Sequence, residues 1–303
     1  MSGSQDGREG RGAGREGGAD LSPEDALRHR AASALEAGLG FVERHGDALA
    51  VLRVHALLGA CPASDCVAEI ARRVGPEGEV APLGLAAQGA PGLSDLAGAP
   101  GVGILGPLEA LIVLADLGAL HAPCVEAIAR RLRALQLDDG SWGDVDAPAQ
   151  TRIFATGLLA GQLSRTRVAR PEMLDRAGRF LASLWSPDRV SGRAWPEIAG
   201  FGAWYSSTGD DLADEALQWI GRELQRGHEK GVYDAVHTVR VLLHCDASAV
   251  PGAALVPAAL LAALLDEQGA DGGFAELAHG SDAVRVVPTL DAMHGAIRLC
   301  GVI

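Results

Sequence analysis

The sequence predicts an all-α protein, an (α/α)6 toroid of six inner and six outer helices. Three observations lead there. Helix-length segments alternate between ones that are apolar all round and ones with a charged face. A helix apolar on every side is buried, and one with a charged face lies outside. The stretch Gln136-Leu137-Asp138-Asp139-Gly140-Ser141-Trp142 recurs in degraded form as Gln268-Gly269-Ala270-Asp271-Gly272-Gly273-Phe274. The order of Gln, Asp, Gly and aromatic is kept, while the Gln-to-Gly spacing reads as changed, because Gly269 directly follows Gln268. Finally, 48% of residues are hydrophobic but only 4% aromatic, so the core is Ala, Leu and Val, a helix-forming mixture. Repeated helix pairs stack into a solenoid or close into a ring, and six pairs is the number for this toroid.

Residues 1–21 are mostly Gly, Arg, Glu and Asp with no apolar run and read as a disordered tail, leaving 22–303 as one domain. Ser22 as N-cap and Pro23 at the first position start a helix reaching about residue 45. Further helices follow over 47–60 and 65–74. Pro and Gly then punctuate residues 81–102, a long loop that reads as either a lid or a passive insertion. Apolar, inner-type helices are expected over 104–117, 148–163, 234–245 and 281–299. Amphipathic, outer-type ones are expected over 123–137, 171–185, 210–226 and 253–268. A loop holds Trp195 and Pro196, and a short Gly/aromatic segment at 199–207 stands where an inner helix belongs.

The bulk numbers exclude several classes. A net charge of -13 argues against nucleic acid or an anionic membrane surface as partner. No run reaches the roughly 18–20 apolar residues of a membrane span. Five cysteines, an odd number without a CxxC pair, read as reduced thiols of a cytoplasmic protein. Oligomeric state is not specified.

The Q-x3-G-x-W pattern of Gln136, Gly140 and Trp142 resembles the repeat signature of the squalene-cyclase and protein-prenyltransferase β-subunit superfamily, over roughly residues 100–300. The resemblance implies that the motif is a structural clasp. It also implies an apolar central cavity for an isoprenoid or polyene substrate, with acid-initiated cyclisation or isomerisation as in class II terpenoid cyclases. Asp144-Val145-Asp146-Ala147 is similar to the D-x-D-D acid motif of those enzymes, with its last Asp replaced by Ala. Asp146 would match the acid and Asp144 its supporting carboxylate. The same two residues also read as caps of the helix that follows.

Asp234 and His237, one turn apart, form a fallback acid/base pair. They resemble the prenyltransferase segment that supplies a zinc-binding His, but the partner Asp-x-Cys is absent, so no metal site and no resident cofactor are expected. Mg2+ is expected only with a diphosphate substrate. Asp210, Asp211 and Asp214 spell D-D-x-x-D, either ligands for such a metal or the acidic first turn of a helix. Trp204, Tyr205, Phe201, Phe154 and His294 are the expected substrate-binding residues, His294 repeating the D-x-x-H spacing from Asp291. The alternative function is a non-catalytic toroid that binds an isoprenoid or a partner protein.

Overall fold

The computed structural model describes residues 22–97, 103–274 and 281–303. The expected tail at 1–21, the end of the 81–102 loop and the turn at 275–280 lie outside the described residues. Thirteen α-helices account for most of the rest, and no strand is present among the described residues. In chain order they are α1 (Pro23–His45), α2 (Ala48–Leu57), α3 (Ala63–Arg73), α4 (Ser94–Ala97), α5 (Leu105–Asp116), α6 (Cys124–Leu135) and α7 (Ala149–Ser164). Then come α8 (Pro171–Leu184), α9 (Trp195–Tyr205), α10 (Ala213–Glu229), α11 (Ala235–His244), α12 (Pro257–Asp266) and α13 (Val286–Cys300).

Local chemistry explains several of these boundaries. Ser22 accepts a hydrogen bond from the Asp25 N–H at 3.1 Å, with Pro23 at the first helical position. Asp47 caps α2 through the Ala50 N–H at 2.8 Å. The amphipathic reading of α6 is met by Val125, Ile128, Ala129 and Leu132, one buried stripe at i, i+3, i+4 and i+7. By contrast, α5, α7, α9, α11 and α13 are buried along most of their length. α2 is intermediate, burying only Leu49, Ala50, Arg53 and Val54.

One expectation needs correction. The region around Trp195 is a full helix, not a loop followed by a short segment. Trp195 begins α9 and Pro196 sits in its first turn, where a missing N–H costs nothing. α9 then packs on α7 backbone to backbone. A Cβ on Gly157 would strike the Gly200 carbonyl oxygen, and one on Gly200 would lie 2.5 Å from that of Ile153. The glycines of α9 therefore bring two helices together and do not break one.

The two clasps are the same object. Gln136 Nε2 donates to Gly140 O at 2.8 Å within its own turn and to Met173 O on α8 at 2.9 Å. Gln268 Nε2 donates to Gly272 O at 2.9 Å and to Ala34 O on α1 at 2.8 Å. Gly140 and Gly272 both have positive φ, 92° and 90°. Each is pressed on the next helix so closely that a Cβ would strike the carbonyl oxygen of Arg176 or Ala37. The Trp142 N–H donates to Thr156 Oγ1 at 3.1 Å and the Phe274 N–H to Thr289 Oγ1 at 2.9 Å. The glycine equivalent to Gly140 is thus Gly272, not Gly269, and the spacing is the same in the two copies after all.

The second clasp has a topological effect. It seats the α12–α13 end of the chain on α1, and α1 packs against both α12 and α13. Along the buried helices, α13 touches α2, α5 touches α7, α7 touches α9, α9 touches α11 and α11 touches α13. An ion pair from Arg53 on α2 to Asp116 at the end of α5 spans the remaining neighbours.

Candidate functional site

Four charged side chains, from α2, α5, α11 and α13, meet in the interior. Arg240 on α11 donates from Nη1 to Asp116 Oδ2 at 3.1 Å and to Asp291 Oδ1, on α13, at 3.0 Å. Arg53 Nη2 donates to the same Asp116 oxygen at 3.3 Å. The side chains of these four residues are each at most 6% exposed. His244, one turn beyond Arg240, takes a hydrogen bond from Arg240 Nε at 3.1 Å. His294 Nδ1 lies 3.9 Å from Asp116 Oδ1 and has no hydrogen-bond partner, and Asp291 Oδ2 has none either.

The two carboxylates differ in environment. Burial alone would raise both. At Asp116 the charges of Arg240, His294 and Arg53 outweigh it and bring the carboxyl down to about 2. At Asp291 burial wins. Arg240 favours its ionised form, but the charge on Asp116 opposes it, and the carboxyl sits above its ordinary value. Burial and the Arg240 charge drive His244 well below the usual imidazole range, and burial lowers His294 too.

Over this cluster lies the segment at 81–97. Leu85, Pro91 and Leu93 from it, Ile112 from α5 and Val287 from α13 enclose, with the charged groups, a cavity of about 10 Å3. That is room for about one water. Gly92 presses on the Phe154 ring, so closely that a Cβ would lie 2.7 Å from Cζ. The segment is fastened by Glu109, fully buried on α5. Its carboxylate accepts from the N–H groups of Leu83, Gly84 and Ala86, the last at 2.9 Å. Instead of the expected apolar cavity, the centre is nearly filled and partly ionic.

The expected site residues divide accordingly. Phe154 and His294 do face this centre, Phe154 standing 5.9 Å from Trp195 and 6.4 Å from His244 between ring centroids. Asp234 and His237 are paired: Asp234 Oδ1 accepts from both the His237 N–H and Nδ1 at 2.7 Å. Burial would raise Asp234, but the hydrogen bond and charge of His237 hold it low, and the same pairing raises His237 against its own desolvation. Glu267 reaches the adjacent N–H groups of Ala235 and Val236 at 2.6 and 3.2 Å. Asp291 and His294, at the same D-x-x-H spacing, are not partners. Asp291 turns to Arg240 and His294 to Asp116.

Asp144 and Asp146 are placed elsewhere. Asp146 is exposed, and its N–H donates to Asp144 Oδ1 at 3.0 Å in a local turn. The burial that keeps an acid neutral is missing there. Nor do they cap α7, which starts at Ala149 without a side-chain cap. Trp204, Tyr205 and Phe201 lie away from the centre. Tyr205 and Phe201 stack on each other at 6.1 Å and meet Trp185 edge-on, while Trp204 packs on Gly178 of α8. Asp210 bonds the Leu212 N–H at 2.9 Å ahead of α10, which also lacks a side-chain cap. Among the described residues no three His, Cys, Asp or Glu side chains converge as metal ligands, and no helix is long and apolar enough to cross a membrane.

Sequence reasoning passes over Arg53, Asp116 and Arg240, although a signal is present. Arg240 is the one charge in Val239–Leu243, and Asp116 ends the apolar run Leu111–Ala115. A charge on a helix that must be buried requires a partner on another such helix.

The buried histidines make stability depend on pH with a definite sign. His244 and His294 have depressed folded values, so below about pH 6.5 the unfolded chain takes up protons that the folded one refuses. Their contribution is full above that pH and is lost on acidification, at up to about 1.4 kcal/mol per pH unit for each. Asp291 and the half-exposed His237, both raised, work in the opposite sense. Denaturant unfolding between about pH 7.5 and 5.5 is expected to show a slope that His244→Asn makes shallower. An unchanged slope would remove His244 from this account.

No protein-family model, no curated protein and no solved structure matches the chain.

Proposed function

We propose that the six helix pairs close as an (α/α)6 toroid and that its centre performs acid-initiated cyclisation or isomerisation of an apolar isoprenoid or polyene, with Asp291 as the acid in place of Asp146. The observation that carries this reading is the Asp291 carboxyl. It is buried, raised above its ordinary value by that burial, bonded through Oδ1 to Arg240, and left with an unpartnered Oδ2 at a cavity with Leu85, Leu93, Ile112 and Val287 in its wall. A neutral carboxyl polarised by a fixed cation is what alkene protonation asks for. The O–H proton passes to an alkene carbon, the π pair forms the new C–H bond, and Asp291 is left as a carboxylate beside Arg240. Phe154 and Trp195 offer ring faces to the cation formed. The His237–Asp234 pair, within electrostatic reach of Asp291, takes the proton released when an alkene re-forms. A substrate enters when the segment at 81–97 lifts from Glu109.

The sequence resemblance to terpenoid cyclases supports the same chemistry with no resident cofactor, and the odd number of cysteines without a CxxC pair supports a cytoplasmic setting. The small closed volume favours the second reading, a toroid without activity that binds an isoprenoid or partner protein. Incubation with squalene and with farnesyl and geranylgeranyl diphosphate, with and without Mg2+, followed by product analysis, separates them. The cyclase reading expects cyclised or isomerised product, a loss of about 10²–10⁴-fold in Asp291→Asn, and no loss in Asp146→Asn. A raised Tm with these ligands but no product would establish the binder. Full turnover by folded Asp291→Asn would end the assignment of the acid.

A further inference from the structure

The aromatic window that does not serve the centre contributes Trp204 to a second concavity. On the outside of the molecule, between α8 and the turn at 206–210, lies a cleft of about 580 Å3. Trp204, Leu174 and Gly178 line it together with the charged Asp175, Arg179 and Asp210. This volume is in the range of small-molecule sites, where an apolar surface is joined by a few polar groups.

Two properties indicate what would fill it. The first is a donor without an acceptor. Trp204 is only 5% exposed, and its Nε1 has no hydrogen-bond partner. The benzo ring of the indole rests on Gly178, where a Cβ would lie 2.8 Å from Cζ2 and 3.5 Å from Cη2. A buried N–H without an acceptor is costly, and the ordinary reason for tolerating one is a ligand or water that supplies it.

The second is the charge of the walls. Ser164, Ser207 and Thr208, which line the cleft, spend their hydroxyl protons on the carbonyls of Gly161, Ala203 and Trp204, so their oxygens remain there as acceptors. α7 ends at Ser164 and α9 at Tyr205, so two helix C-termini, the negative ends of their dipoles, meet there. Asp175 and Asp210 add two carboxylates against the single guanidinium of Arg179. Asp210 is close enough to Tyr205 to help burial raise its phenol, and the Tyr205 hydroxyl is also unpartnered.

We infer that this cleft binds a small organic ammonium compound: an apolar body over Trp204, an ammonium between Asp175 and Asp210, and an oxygen acceptor for the indole N–H. The site is separate from Asp291, so it stands or falls independently of the central chemistry.

The test follows the indole 1H–15N resonances. The chain has five tryptophans, and the Trp204 signal is assigned by its NOEs to Gly178, without any substitution. Phenylalaninol, which carries all three features, is the probe. Phenylpropanol lacks the ammonium, and phenyllactate replaces it with a carboxylate. The expected result is a saturable shift of the Trp204 resonance by phenylalaninol at about 1 mM or below. Phenylpropanol and phenyllactate should bind at least about tenfold more weakly. Asp175→Asn/Asp210→Asn, a change of exposed and half-exposed groups that leaves the core intact, should weaken phenylalaninol by about tenfold or more. No shift at Trp204, equal shifts by phenyllactate, or undiminished binding in the double variant would each overturn the inference.

Discussion

Arg240→Leu is expected to be among the most destabilising single changes in this protein, costing about 3–5 kcal/mol of unfolding free energy. The reason is the asymmetry of buried ion pairs. With Arg240 present, Asp116 and Asp291 share a guanidinium at 3.1 and 3.0 Å. Without it, Asp116 keeps Arg53 at 3.3 Å, while Asp291 loses the one cation it is bonded to and His244 loses its donor. The lost free energy is mainly the cost of stranding those groups, not the net worth of the pair. Adding Asp291→Leu to Arg240→Leu should therefore recover part of the loss, although it removes one more polar group. Urea unfolding of both variants checks this. A double variant that is less stable by the sum of the two single effects would show that Arg240 and Asp291 do not act as a unit.

Trp142→Ala is expected to cost about 3–5 kcal/mol, in the range for removing a buried aromatic side chain. Trp142 is fully buried and its Nε1 donates to Leu132 O at 2.7 Å at the end of α6. It ties the helix before the clasp to the turn after it, while Gln136 ties the turn to α8. Trp142→Phe should cost about 1–3 kcal/mol, since the ring remains but the Leu132 carbonyl loses its donor. The protein supplies its own control, because the second clasp carries Phe274 at the equivalent place and holds without an indole N–H. Thermal and denaturant melts of the two variants give the measurement. Equal losses in both would mean that the hydrogen bond, not the packed ring, carries the contribution.

What can be read from the sequence is what depends on local periodicity. The stripe of Val125, Ile128, Ala129 and Leu132 announces a covering helix, and the apolar run through Leu111–Leu114 a buried one, because side-chain period follows backbone geometry. The clasp is legible as a motif but aligns wrongly at Gly269, since adjacency to Gln268 stands in for φ. Only backbone conformation shows that Gly272 occupies the same left-handed turn as Gly140. α9 is obscured for a related reason. Gly200 and Gly202 count against a helix by propensity, yet the missing side chain at Gly200 is what lets α9 approach α7 so closely. The central cluster is the least visible. Arg53, Asp116, Arg240 and Asp291 come from four helices far apart in the chain, and spacing rules operate only within one element. Local D-x-x-H spacing places Asp234 against His237 but not Asp291 against His294, because a nearby guanidinium competes for the second carboxylate.

The grip of the last clasp on α1 bears on how the chain can fold. Ala34 O on α1 receives its hydrogen bond from Gln268, Gly272 presses on the Ala37 carbonyl, and Gly38 is covered by Met293. The apolar stripe of α1, including Phe41 and Val42, thus lacks its final cover until α12 and α13 have left the ribosome. Contacts of such sequence separation are entropically late to form. α1 has to wait, exposed, for α13, and in that interval its apolar stripe needs protection from association with other chains.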